Sequence, residues 1–181
     1  MNRFKRFARV AGWLFITASV AAFLLYFGMR VLSGRSPIVM FVLFAHFAPY
    51  YDFYPVPYLL AIALVFAVVS AWWLVFSMPR FTRFRFLQVM LLPWIALLFA
   101  GPVWGMLWVY HDMQAGFFPA FPQMIDYLLY GVQQGVLFAL NVALFSLPLN
   151  LLAYGAACRL VVLCIKRFGS EQPGHAQLRG A

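Results

Sequence analysis

The run Gly135–Cys158, GVLFALNVALFSLPLNLLAYGAAC, carries no charged residue over 24 positions. At a helical rise of about 1.5 Å per residue it extends about 36 Å, enough to cross a hydrocarbon core of about 30 Å with some tilt. Just before it and within it, Gly131, Gly135, Ala139 and Ala143 recur at every fourth position and form one slowly turning strip of small side chains. Ser146 and Asn150 lie close to that strip, while Gln134 and Asn141, seven apart, fall on another side, with Gln133 beside them. Small residues let a neighbouring backbone approach, and amides in hydrocarbon seek partners. The stretch therefore predicts a spanning helix around which the rest of the chain packs.

Composition agrees with that setting. The 181 residues are 66% hydrophobic, 20% aromatic and only 9% charged, with a mean hydropathy of +0.89. A soluble domain is usually about 25% charged, and a chain this short needs a polar shell that these residues cannot supply. The bilayer must take up the apolar excess. The expected fold class is all-α: a polytopic four-helix bundle over residues 1–168, followed by a disordered cytoplasmic tail, 169–181.

Outward from the opening run, three further spans are expected. Met1–Arg9 is basic, and the apolar run Val10–Met29 follows it, giving a first span over 10–31. A basic start can mark a cleaved signal peptide. This run, however, is longer than the usual 7–15-residue apolar core and lacks an A-x-A site, so it is read as uncleaved. Ser33–Pro37 is a turn. Residues 38–48, IVMFVLFAHFA, are apolar but too short to span, and read as an interfacial or re-entrant helix. A cluster of tyrosines follows, suited to the headgroup layer. The second span, 58–76, carries Ala63, Ala67 and Ala71 as another small strip. The third, 87–109, contains Pro93 and Pro102, which should kink it, and Gly101 and Gly105 in a G-x-x-x-G spacing. Trp104, Trp108 and Tyr110 are expected as an outer aromatic belt, and 111–122 as an outer loop. Residues 124–132 are expected as an amphipathic lead-in to the fourth span, 134–158, which Pro148 should bend.

Charge orients this arrangement. All but two of the 13 Lys and Arg residues fall in the N-terminus, the loop 80–85 or the C-terminal segment. With four spans these three segments share one side, and the positive-inside rule makes that side the cytoplasm. The net charge of +9 and pI near 10.1 are thereby accounted for without a nucleic acid. Arg3, Lys5 and Arg6 in the N-terminus, and Arg80, Arg83 and Arg85 in the loop, alternate with phenylalanines and are expected to touch anionic lipid. Few lysines and short loops point to a bacterial inner membrane.

Chemistry is thin. His46, Asp52, His111, Asp112 and Asp126 all fall on the outer side, where His46, His111 and Asp112 are the candidates for a metal or an acid–base site. No H-x-x-x-H or H-E-x-x-H spacing supports them, and aspartates on outer loops are also what topology favours. Gln133, Gln134, Asn141, Ser146 and Asn150 could line a solute path, but interhelical hydrogen bonding is the favoured reading. No Asp, Glu, Lys or His falls mid-span, so an ion relay lacks its parts. Cys158 and Cys164 are six apart on a helix and point to different sides, which excludes a disulfide framework.

Two classes of similar length are set aside on residues. The chain has no C-x-x-C pair of the kind used by quinone-linked disulfide oxidoreductases. It also lacks the Asn and Asp pattern of small four-span aspartic signal peptidases. The expected role is a non-enzymatic accessory or assembly subunit, without a cofactor, that packs against other membrane helices or against itself. An oligomeric channel or lipid carrier, and an enzyme with an outer-face His/Asp site, are the alternatives.

Overall fold

In a computed structural model the chain is described over residues 2–33, 55–77, 85–117, 124–145 and 149–168. The expectations for 38–48, His46, Asp52, Arg80, Arg83, Ser146 and the tail 169–181 lie outside the described residues, as do the side chains of Arg85 and Ala143. Among the described residues the fold is all-helical. Five helices follow in order: α1 (Arg3–Ser33), α2 (Pro55–Trp72), α3 (Arg85–Gln114), α4 (Met124–Phe145) and α5 (Leu149–Phe168). The end of α2 widens into a π-helical turn over Trp73–Ser77.

Three of these helices are long and apolar enough to cross a membrane, over Arg3–Gly28, Val56–Ser77 and Phe86–Gln114. Their outward surfaces carry Ile16, Val20 and Leu24 on α1, Leu64 and Val68 on α2, and Leu91, Leu98 and Phe99 on α3, all exposed. A bundle in water turns polar side chains outward. Here aliphatic and aromatic groups face out, as a hydrocarbon surround requires.

The interior is built mainly from small and β-branched residues. Val10, Leu14 and Ala18 of α1 meet Ala63, Phe66, Ala67 and Ala71 of α2, Val89, Leu92 and Ala96 of α3, and Cys158, Val161, Cys164 and Phe168 of α5 in one buried cluster. Ala63, Ala67 and Ala71, expected as a packing strip, are each at most 2% exposed. Helices without bulky side chains on the contact face can approach closely, and dispersion then replaces the hydrophobic drive that lipid does not provide.

Several expected boundaries change. The run 134–158 is carried by two helices, with 146–148 between them. Pro148, expected to bend this span, lies outside the described residues. Residues 124–132 are no separate lead-in: α4 runs unbroken from Met124, because Gly131 keeps helical geometry inside a tight contact. Nor is 111–122 all loop. α3 passes through Pro93 and Pro102 without interruption and continues to Gln114. It turns only at Gly116, whose φ of 81° is the left-handed conformation that glycine reaches without strain.

α2, α4 and α5 all pack on α3, while α1 packs on α2 and α5. The second half of α3 packs against α4 and its first half against α5. Gly101 faces Gly135 and Ala139, Gly105 faces Gly131, Met90 faces Tyr154, and Val89 faces Cys158. Descending numbers on α3 thus meet ascending numbers on α4 and then α5. The two short helices run antiparallel to α3 in succession, one after the other.

Candidate functional site

Among the described residues, α3 and α4 approach each other backbone to backbone. A Cβ added to Gly101 would lie 2.8 Å from the Gly135 carbonyl oxygen and 3.1 Å from the Ala139 Cβ. One added to Gly131 would lie 2.7 Å from the Gly105 carbonyl oxygen and 2.8 Å from the Val109 Cγ2. At Gly105 and Gly135 the added carbon would land on the carbonyl oxygens of Gly131 and Gly101. Four glycines and Ala139 therefore make a reciprocal backbone-to-backbone seam, the close crossing that G-x-x-x-G spacing allows. Trp104 sits between the two α3 glycines. Its ring stacks on Phe138 of α4, with centroids 4.1 Å apart, and meets Tyr58 of α2 edge-on at 5.5 Å. Expected in an outer lipid belt, Trp104 is instead buried, because the glycines bring α4 in over it. Tyr110 is exposed.

The seam fixes which side of α4 faces away. Gly131, Gly135 and Ala139 are buried, whereas Asp126, Tyr130, Gln133, Leu137, Leu140, Asn141 and Leu144 are exposed. Gln133 stands about 160–200° around the helix from the buried glycines, at roughly 100° per residue. Gln134 and Asn141 flank the exposed face, the first half-buried and the second exposed. The amide series does not share one surface. Asn150 lies on the next helix, where its Oδ1 accepts the Leu151 N–H at 2.8 Å in the first turn of α5.

At the far end of α3, His111 and Asp112 occupy the last helical turn. Asp112 is buried and its Oδ1 lies 3.7 Å from the His111 Nδ1, too far for a hydrogen bond but close enough for attraction. The Asp112 carbonyl accepts the Phe117 N–H at 2.9 Å, closing the turn at Gly116. Asp126 is exposed in the first turn of α4, where a carboxylate suits the positive end of the helix. Among the described residues no three His, Cys, Asp or Glu side chains gather as metal ligands. His111 and Asp112 therefore form a two-membered pair here.

The opposite end collects the start of α1 and the ends of α2 and α5. Phe7 of α1 lies 6.2 Å from Phe76, in the π-helical turn after α2. The Arg6 Nη2 donates to the Phe168 carbonyl at 2.9 Å, satisfying a carbonyl that the last turn of α5 leaves open. Trp13 meets the Phe168 ring edge-on at 6.1 Å, and the Arg167 guanidinium lies 5.9 Å from the centroids of both rings. Arg6, expected to touch lipid, is half-buried, with its guanidinium turned onto α5. Arg3, Lys5, Arg9, Lys166 and Arg167 remain exposed around it. Cys164 is 1% exposed.

The sequence reading missed two contacts, the Arg6 bond and the Tyr154 hydroxyl, which donates to the Met90 carbonyl at 2.9 Å. Neither has a local signal: each joins residues far apart in the chain, and only the packing of the helices brings them together. Comparison of the chain with family models, with curated proteins and with solved structures returned no match. The arrangement itself has to carry the functional reading.

Proposed function

We propose that this chain is a four-span membrane protein with both termini in the cytoplasm. In this reading α4 and α5 together make a broken fourth span, and the protein serves as a non-enzymatic accessory or assembly subunit that docks membrane helices. One observation carries the docking role: the Gln133 amide is exposed on a face of α4 that also carries Leu129, Leu137, Leu140 and Leu144. A primary amide facing hydrocarbon lacks the hydrogen bonds that water would supply, so a second helix that satisfies it is favoured. The glycine seam supports the same role by tying α4 rigidly to α3 and presenting that face outward.

Topology rests on charge. Arg3, Lys5, Arg6, Arg9, Lys166 and Arg167 gather at one end of the bundle, and the residues before Arg85 lead into α3 from that end. The positive-inside rule makes this end cytoplasmic, and the few-lysine, short-loop chain suits a bacterial inner membrane. The exposed basic groups then lie where anionic headgroups are.

Asn141 flanks the exposed face of α4. A solute path using it would form between associated chains, not within one. Purification in mild detergent, followed by mass measurement of single particles, tests the docking role. The expected particle contains more than one chain; a strictly monomeric particle at membrane-like protein density would overturn it.

A further inference from the structure

We infer that the groove between the start of α1 and the end of α5 is a site for one anionic phospholipid, its phosphate held by Arg167. This rests on the cytoplasmic placing of that end proposed above, and it assigns the headgroup to a particular place. A basic end satisfies the positive-inside rule wherever its charges stand. It does not require the arrangement found here. The Arg167 guanidinium reaches from α5 across to α1 and lies 5.9 Å from the ring centroids of both Trp13 and Phe168. Those two rings meet edge-on, and the Arg6 Nη2 donates to the Phe168 carbonyl at 2.9 Å. Arg6 and the two rings thus tie the first helix to the last, and Arg167 stands exposed on the aromatic floor so formed.

No carboxylate of the bundle offsets this charge. Among the described residues the carboxylates are Asp112 and Asp126, both at the opposite end. Arg3, Lys5 and Lys166 add exposed positive charge at the same end as Arg167. Contact with a ring uses the face of a guanidinium and leaves the N–H donors at its edge, whose fork matches two phosphate oxygens at once. The residues beneath the cation decide between a lipid and a soluble phosphate or acidic peptide. α1 enters the membrane from this end and α5 returns to it. Ile16 therefore lies one turn deeper than Trp13, and Leu163 one turn deeper than Arg167, each on the same side of its helix. Ile16 is 64% exposed and Leu163 48%. A cation at the surface with bare aliphatic side chains one turn below it follows the order of a phospholipid, head and then chain. A soluble anion would leave those side chains uncovered.

The test is native mass spectrometry of the full chain in an uncharged detergent, with phosphatidylglycerol or phosphatidylcholine of the same acyl chains added. The native chain should keep one phosphatidylglycerol and lose phosphatidylcholine. Arg167→Gln should weaken that retention about tenfold or more, the reach of one charge-assisted hydrogen bond. Arg159→Gln removes the same charge from an exposed position more than two turns away on α5, and should leave retention unchanged. Equal losses from the two variants would overturn the site and leave only diffuse attraction of lipid to the basic end, as the proposed topology already allows. Equal retention of both lipids by the native chain would overturn the site and that lipid contact together. Glycerol phosphate, the same head without chains, should not displace the lipid at equal concentration; displacement would overturn the lipid in favour of a soluble phosphate. Should Arg167→Gln fail to insert, Arg167→Lys keeps the charge and loses the fork. It should retain less lipid, and retention equal to the native chain's would overturn the site.

Discussion

Gly131 of α4 lies so close to Gly105 of α3 that one methyl group on it would come within 2.7 Å of the Gly105 carbonyl oxygen. The obstacle is backbone on a packed helix, so it cannot rotate aside as a side chain would. Gly105→Leu and Gly135→Leu should each destabilise the bundle by about 1–3 kcal/mol or more, the usual cost of overpacking. Gly155 of α5 is the comparison, because nothing lies within 4 Å of an added Cβ there. Gly155→Ala should leave stability unchanged or raise it by up to about 1 kcal/mol. Thermal unfolding in detergent, followed by tryptophan fluorescence, separates the two outcomes. Equal melting points for Gly105→Leu and Gly155→Ala would remove the seam from the account.

Arg6 joins the first helix to the last. Removing its bond to the Phe168 carbonyl frees the end of α5 and leaves that carbonyl open. Arg6→Gln should cost about 1–2 kcal/mol, below the value for a fully buried charged hydrogen bond because Arg6 is only half-buried. Amide exchange should speed up over 160–168 and stay unchanged over α4. Unaltered exchange in that turn would show that the bond holds nothing.

The Cys164 thiol should be inert in the folded protein. It is only 1% exposed, so a reagent cannot reach it while the bundle is closed. Maleimide should modify Cys164 only after unfolding in strong detergent, as peptide mass analysis can read.

Topology can be read directly. Thr82→Cys, in the basic loop, should react with an impermeant reagent from the cytoplasmic side alone. Gln114→Cys, at the end of α3, should react only from the opposite side. Reversal of the two patterns would invert the orientation and, with it, the lipid leaflet assigned to the arginines.

Much of the architecture was legible in the residues, for identifiable reasons. Small residues at four-residue spacing are a one-helix pattern, visible without a partner, and Gly101, Gly105, Gly131, Gly135, Ala139 and the α2 alanines are all buried. Which strip meets which is a property of the pair. The sequence alone did not say that α4 meets α3 while the α2 alanines join the α1, α3 and α5 core. Trp104 shows the same limit. Tryptophan near a span end usually sits at the interface, but a ring flanked by two contact glycines is carried into the seam. The candidate site was legible in part. Gln133 was visible as a polar residue in an apolar run, but its outward direction depends on where the glycines point. Arg6 was visible as a charge, but not as a cap for a helix more than 160 residues away.

The succession of α4 and α5 along α3, and the Arg6 bond to Phe168, bear on how the molecule is made. Helices α1, α2, α3 and α4 all leave the ribosome before the segment that closes the interior has been synthesised. Until Leu149–Phe168 arrives, Leu14, Leu92 and the π-helical turn of α2 face an empty slot that lipid or a chaperone must fill. The first helix translated therefore waits for the last. Losing residues 149–181 would leave a hairpin of α3 and α4 intact beside an open, unfinished core.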